Sequence, residues 1–316
     1  MVSLGDIVAA LPLYSSVVGE DWLRANKEWA ERFLALRLPW YAQGEGDLGI
    51  LRRHVDLDRL VTCYRSILRD QRIQQEALHE VHGAAFLAKL ATAVELHVPR
   101  DQSSGRNFDV RANIGEHVLN AEVKTRRDEF PFNLPVKEEV DGIPISGGKR
   151  ATLDPHDAAE LGIRDSRPKE PNEIATPEST VIRQRLVAAL GQLPPEGLNI
   201  VLFGHLMGDR RDVEEAPGGT QVVEVRKDPA TRRPEMEWVR LPTGAFGDPA
   251  FRALSGVLWY RLYRIGDVLG RAYWLGLNGD AQVRFPETLA ALFTEAMNRE
   301  ERIIEVDGED PMEPYE

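Results

Sequence analysis

A single cysteine in 316 residues, Cys63, removes several classes of explanation at once. One thiol cannot build an intrachain disulfide framework or a multi-cysteine zinc site, and such a chain suits a reducing compartment, so a cytoplasmic protein is expected. Long apolar runs are also missing. No stretch approaches the roughly 20 apolar residues of a spanning helix, so no membrane partner is expected. The opening Met1–Val18 carries Asp6 and no basic cluster, and it does not read as a secretory leader. Several familiar catalytic signatures are absent too. There is no Gly-x-Ser-x-Gly elbow, and Gly147-Gly148-Lys149 lacks both the upstream glycine and the following Ser/Thr of a phosphate loop. In His79-Glu80-Val81-His82 the histidines stand three apart, whereas a zinc-protease helix needs four.

Positive charge is outnumbered, with 39 basic against 51 acidic residues. The net charge is −12, which opposes general adhesion to nucleic acid. The distribution changes that reading. Glu295–Glu316 holds nine acidic and two basic residues and so carries −7 of the −12, and its proline-containing end reads as a solvated acidic tail. The rest is only mildly acidic, and any nucleic-acid contact must come from local basic patches.

The most informative stretch runs from Asn107 to Lys124. Asn107, Asp109 and Arg111 alternate with Phe108, Val110 and Ala112, and Asn120, Glu122 and Lys124 alternate with Leu119, Ala121 and Val123. Both halves therefore read as strands with one polar and one apolar face. Gly115-Glu116 between them suits a two-residue type II′ turn. That turn makes Ile114 face His117, and the same register sets Asp109 directly across from Glu122. Cross-strand partners lie about 5 Å apart at Cβ, and like charges there repel, so such a pair needs a cation, and hard oxygen ligands suit Mg²⁺ or Mn²⁺. A three-residue turn would instead send the two carboxylates to opposite faces. The competing reading is a solvated hairpin with a surface Glu–Lys pair.

Asp109 followed by Glu122-x-Lys124 resembles the signature of the PD-(D/E)XK nuclease superfamily, although Phe108 stands where that family commonly has proline. The resemblance implies an α/β fold with a restriction-endonuclease-like core, in which helices flank a central mixed sheet. It implies a metal-dependent nuclease, an endonuclease by expectation, acting on DNA in a setting such as restriction or anti-phage defence; it does not separate DNA from RNA. Asp109, Glu122 and the backbone carbonyl of Val123 would hold Mg²⁺ or Mn²⁺, and Lys124 would serve the attacked phosphate. Members often add a glutamate from the preceding helix. Glu80 is the match here, because Ala77, Gly83, Ala84, Leu87 and Ala91 share its face while Lys89 marks the solvent side; Glu76 is the fallback. The glutamine–tyrosine helix of some members is not matched, since Gln184 is followed four residues later by Ala188. The alternative from a different class is a catalytically inactive relative that keeps the fold as a binding or assembly module. Oligomeric state is open, a homodimer included.

Along the chain, residues 1–55 read as an N-terminal helical extension, with a helix from Asp21 ending at Leu38 before Pro39. Residues 56–298 read as the nuclease-like domain. It opens with a helical region from Asp56 to about Val94, interrupted at most at Gly83, and a strand follows at Val94–Val98. An irregular insertion with six prolines spans about 126–176. Thr176-Pro177-Glu178 then starts a helix with a stripe of Ile182, Leu186 and Leu190. Leu198–Gly204 suits a strand buried on both faces, Thr220–Val225 and Met236–Leu241 a hairpin, Leu254–Leu262 and Ala272–Leu277 further strands, and Glu287–Asn298 a last helix. The acidic tail covers 299–316. Arg126 and Arg127 at the hairpin exit, with Arg183 and Arg185 on the following helix, are the expected nucleic-acid-binding cations.

Overall fold

Alternating and continuous apolar runs are what the central sheet is made from. The computed structural model describes residues 3–31, 38–70, 74–100, 107–125, 138–140, 143–145, 178–204, 210–219, 221–227, 234–240, 244–265 and 268–301. Its largest sheet is mixed and six-stranded, in the order β1 (Ala93–Pro99), β2 (Asn107–Ile114), β3 (His117–Thr125), β6 (Leu198–Gly204), β9 (Gly256–Ile265) and β10 (Val268–Leu277). Two separate ribbons pair β4 (Glu138–Val140) with β5 (Ile143–Ile145) and β7 (Gln221–Lys227) with β8 (Pro234–Arg240). The chain is an α/β protein, and the residues form two compact units.

The unit formed by 90–124, 176–261 and 271–316 carries most of the sheet. β1 runs antiparallel to β2, and β2 antiparallel to β3. Gly115 has φ 59° while Glu116 stays out of the positive region, which is the pattern of a type II′ turn. Ile114 faces His117, as the sequence pattern requires. β6 is buried at all seven positions and pairs parallel to β9, which explains its unbroken apolar run. Trp259, Tyr260 and Phe203, each no more than 1 % exposed, are among the largest core side chains here. Helix α8 (Glu178–Leu190) buries Ile182, Leu186 and Ala189 from this unit, and α10 (Glu287–Glu300) buries Leu289, Phe293 and Ala296. Between them in the chain lies α9 (Arg210–Gly218), which the sequence reading did not include.

Polar side chains tie neighbouring strands and the turns beside them together. Asn120 of β3 donates to Asn199 Oδ1 of β6 (3.1 Å), and Asn199 donates to the carbonyls of Pro194 and Ala253. Ser255 donates to the Val283 carbonyl, and Asn278 donates to those of Phe251 and Leu254. Asn199, Ser255 and Asn278 are buried, so these bonds satisfy groups that would otherwise oppose folding.

The other unit, 1–89 with 125–175 and 262–270, is helical at its N-terminal end. Its helices are α1 (Leu4–Ala10), α2 (Pro12–Val18), α3 (Glu20–Ala25), α4 (Lys27–Trp29), α5 (Leu38–Leu51), α6 (Leu57–Arg69) and α7 (Gln74–Leu90). α2 has Leu11 at its N-cap and no side-chain cap of its own. Glu45 of α5 fills that place, accepting the N–H groups of Leu13 and Tyr14 at 2.9 and 2.7 Å. At the other end, Arg65 and Arg69 of α6 donate to the carbonyls of Val17 and Val18. These bonds place α6 with the N-terminal helices, so the expected boundary at residue 56 falls inside this unit.

Two helix expectations are corrected. The run from Asp21 to Leu38 is not continuous: α3 ends at Asn26, whose amide turns back onto the Trp22 carbonyl. Pro39 does not end a helix but sits at the second position of α5, where its missing N–H has no partner to lose. The region from Asp56 to Val94 divides at Asp70, which takes an extended conformation after α6, whereas Gly83 lies inside α7 without breaking it. Nor is the apolar surface of α7 a stripe. Ala77, Leu78, His79, Val81, His82 and Ala84–Ala88 are all buried, leaving Lys89 exposed and Glu76 and Glu80 half-buried. The N-cap expected at Thr176 and most of the 126–176 insertion lie outside the described residues.

Candidate functional site

The polar face of β1, β2 and β3 is laid out in rows by the strand register. One row is Glu95, Arg111 and Asn120, with Arg111 paired to both neighbours. Two residues further along each strand stand His97 of β1, Asp109 of β2 and Glu122 of β3. The regular β2–β3 pairs run from Ile114–His117 to Val110–Ala121, so Asp109 and Glu122 stand one step past the last of them. There a side chain takes over from the main chain. The N–H of Val123 donates to Asp109 Oδ2 at 2.7 Å. This charge-assisted bond fixes the carboxylate rotamer.

Glu122 is 1 % exposed, and its Oε1 accepts from the ammonium of Lys124, the next side chain on that face of β3. The Lys124 side chain is itself 17 % exposed. A buried carboxylate is costly without a partner, and the adjacent cation is what makes this placement tolerable. The ammonium also donates to Oε1 of Gln192, in the turn that follows α8. Formal charges over Asp109, Glu122 and Lys124 leave the group at −1, so it favours a cation.

His97 was not among the residues expected from sequence. It has φ 47°, and among the described residues it alone is left-handed without being glycine. Such a backbone costs on the order of 1–3 kcal/mol and persists where the surroundings hold it in place. A ring nitrogen of His97 and a carboxylate oxygen of Asp109 lie within 4.8 Å of one another, near enough to meet at one ion. Strand alternation puts His97 on the polar face, but only the pairing of β1 with β2 brings it to Asp109. Gln192 left no sequence signal, since 68 residues separate it from Lys124.

The remaining expected residues fall as follows. Val123 is buried beside Glu122. Glu80 is half-buried on α7 of the helical unit. The neighbouring His82 is fully buried and bonds Asp47 Oδ2 at 2.9 Å, while Gln43 donates to both oxygens of Asp47, so these polar groups serve packing. Arg183 is bound to Asp248 at 2.8 Å and lies over the Phe251 ring, and Arg185 is half-buried on the same helix. Gln184 is exposed. Arg126 and Arg127, like Gly147–Lys149, lie outside the described residues. Among those described, no helix is long and apolar enough to cross a membrane.

No family model, curated protein or solved structure matches the chain.

Proposed function

We propose that the protein is a divalent-metal-dependent nuclease of the restriction-endonuclease-like type, with DNA as the expected substrate. The observation that supports this reading is a hairpin on which Asp109 accepts the Val123 N–H while the buried Glu122, next to Val123, is bound to the Lys124 ammonium. The donor chemistry fits a hard or borderline cation: two carboxylates in neighbouring register positions, a net −1 charge, and an imidazole beside Asp109. Asp109, Glu122 and the Val123 carbonyl would hold Mg²⁺ or Mn²⁺, and Glu80 is the third carboxylate that the sequence resemblance supplies. Such an ion, when bound, acidifies water and offsets charge on a scissile phosphate.

The chain's own groups do the rest. The N–H of Val123 fixes Asp109, so the carboxylate needs no reorganisation before it works. Lys124 presents a localised positive charge where negative charge grows on the attacked phosphate, and its ammonium can orient the incoming water. Water oxygen bonds to phosphorus as the bond to the 3′ oxygen breaks, which leaves 5′-phosphate and 3′-hydroxyl ends by the resemblance. Restriction or anti-phage defence is a natural setting for such an enzyme.

The test is incubation of purified protein with circular and linear, single- and double-stranded DNA and with RNA, in Mg²⁺, Mn²⁺ or EDTA. Cleavage that needs metal and disappears in Asp109→Ala, Glu122→Ala and Lys124→Ala is the expected result. Cleavage that persists in those variants refutes the site. Binding without cleavage by the wild type in either metal supports the inactive-module alternative.

A further inference from the structure

We infer that Gln192 is the positioning residue for Lys124, holding its ammonium in place through an uncharged acceptor. The inference rests on the nuclease reading for its meaning, though not for its geometry. Lysine is a poor anchor by itself: a compact charge on a stem of four carbons, with three donors free to rotate. In this protein Glu122 Oε1 takes one donor and Gln192 Oε1 takes another. With two of three donors fixed from different elements, the ammonium cannot swing about the Glu122 contact, and the third donor is left for water or phosphate.

The turn that carries Gln192 is itself secured. The N–H groups of Gln192 and Leu193 return to the Ala189 carbonyl at 2.9 and 3.0 Å, and Leu193 is buried. Arg100, following β1, donates to the Gly191 carbonyl at 2.6 Å. The turn also stands at the C-terminal end of α8, where the partial negative charge of the helix terminus favours a neighbouring cation.

The choice of amide matters. A carboxylate at 192 would hold Lys124 at least as firmly, but it would take the local charge from −1 to −2 and cancel the field that Lys124 offers a phosphate. Glutamine fixes the ammonium without quenching it.

Nitrogen-15 relaxation of the Lys124 ammonium, compared across variants of the whole chain, tests this directly. In Gln192→Met, which keeps the length and loses the acceptor, the ammonium should become mobile; in Gln192→Glu it should stay ordered. Cleavage should fall about tenfold or more in both, in kcat with KM little changed, because misplacement and quenching each weaken the step rather than the binding. If the methionine variant folds poorly, Gln192→Asn, one methylene too short, should release the ammonium in the same way. Unchanged order in the Met or Asn variant overturns the inference, as does loss of order in the Glu variant. A wild type that cleaves nothing overturns the nuclease reading instead, while the ammonium measurement still decides what Gln192 does.

Discussion

Replacing Lys124 with methionine should cost far more stability than removal of a partly exposed lysine ordinarily does. Glu122 is 1 % exposed and the Lys124 side chain 17 %, so the pair is shielded from bulk water on the carboxylate side above all. Removing one partner of a buried pair typically costs about 3–5 kcal/mol, because the other charge stays behind. The residual exposure of Lys124 lets water in once the ammonium has gone, which brings the figure down to about 2–3 kcal/mol. For a folding unit of this size that corresponds to a fall of roughly 4–12 °C in Tm. The decisive comparison is Lys124→Met combined with Glu122→Gln. If charge burial is the cause, the second change should restore most of the lost stability, although neither variant should cleave nucleic acid. Differential scanning calorimetry of the wild type, both single variants and the double variant gives the coupling. A single Lys124→Met variant as stable as wild type would refute the reasoning, and so would a double variant whose losses simply add.

Other outcomes follow from the same geometry. Glu80→Gln should lower the metal-dependent rate more than Glu76→Gln, read from titrations of activity against Mn²⁺; equal and negligible effects would return Glu80 to a packing role. Arg183→Ala should cost less than about 1 kcal/mol, since its pairing with Asp248 is over a third exposed on both sides. Arg185→Ala should flatten the log–log salt slope of DNA binding by about one unit if that side chain meets a phosphate, and an unchanged slope would place the basic groove elsewhere. Gly197→Ala should destabilise by about 1–2 kcal/mol in urea unfolding. Gly197 has φ 110°, and an added Cβ would stand 3.1 Å from the Asn120 amide that bonds Asn199.

The hairpin was legible because its information is local. Alternation of period two fixes which side chains share a face, and Gly115-Glu116 fixes the register, so the Ile114–His117 pairing follows from a stretch of under twenty residues. The buried strand Leu198–Gly204 was legible for a similar reason, since only a strand covered on both faces needs an unbroken apolar run. What escaped depends on distant partners. His97 meets Asp109 through the pairing of two strands joined by a loop whose length does not set a register, and Gln192 reaches Lys124 from an element far along the chain. The helix limits failed for local reasons that apolar spacing does not carry: the Asn26 amide turns back onto Trp22 and ends a helix in mid-pattern, and Pro39 sits at the start of a helix rather than past its end.

The seven-residue helix α2 is closed at both ends by side chains that leave the ribosome after it does. Its first N–H groups wait for Glu45, and its last carbonyls wait for Arg65 and Arg69. A helix this short is marginal in water without such help. During synthesis, then, Pro12–Val18 emerges early yet cannot settle until the chain has passed Arg69, and a fragment ending at residue 55 would hold one clasp and lack the other.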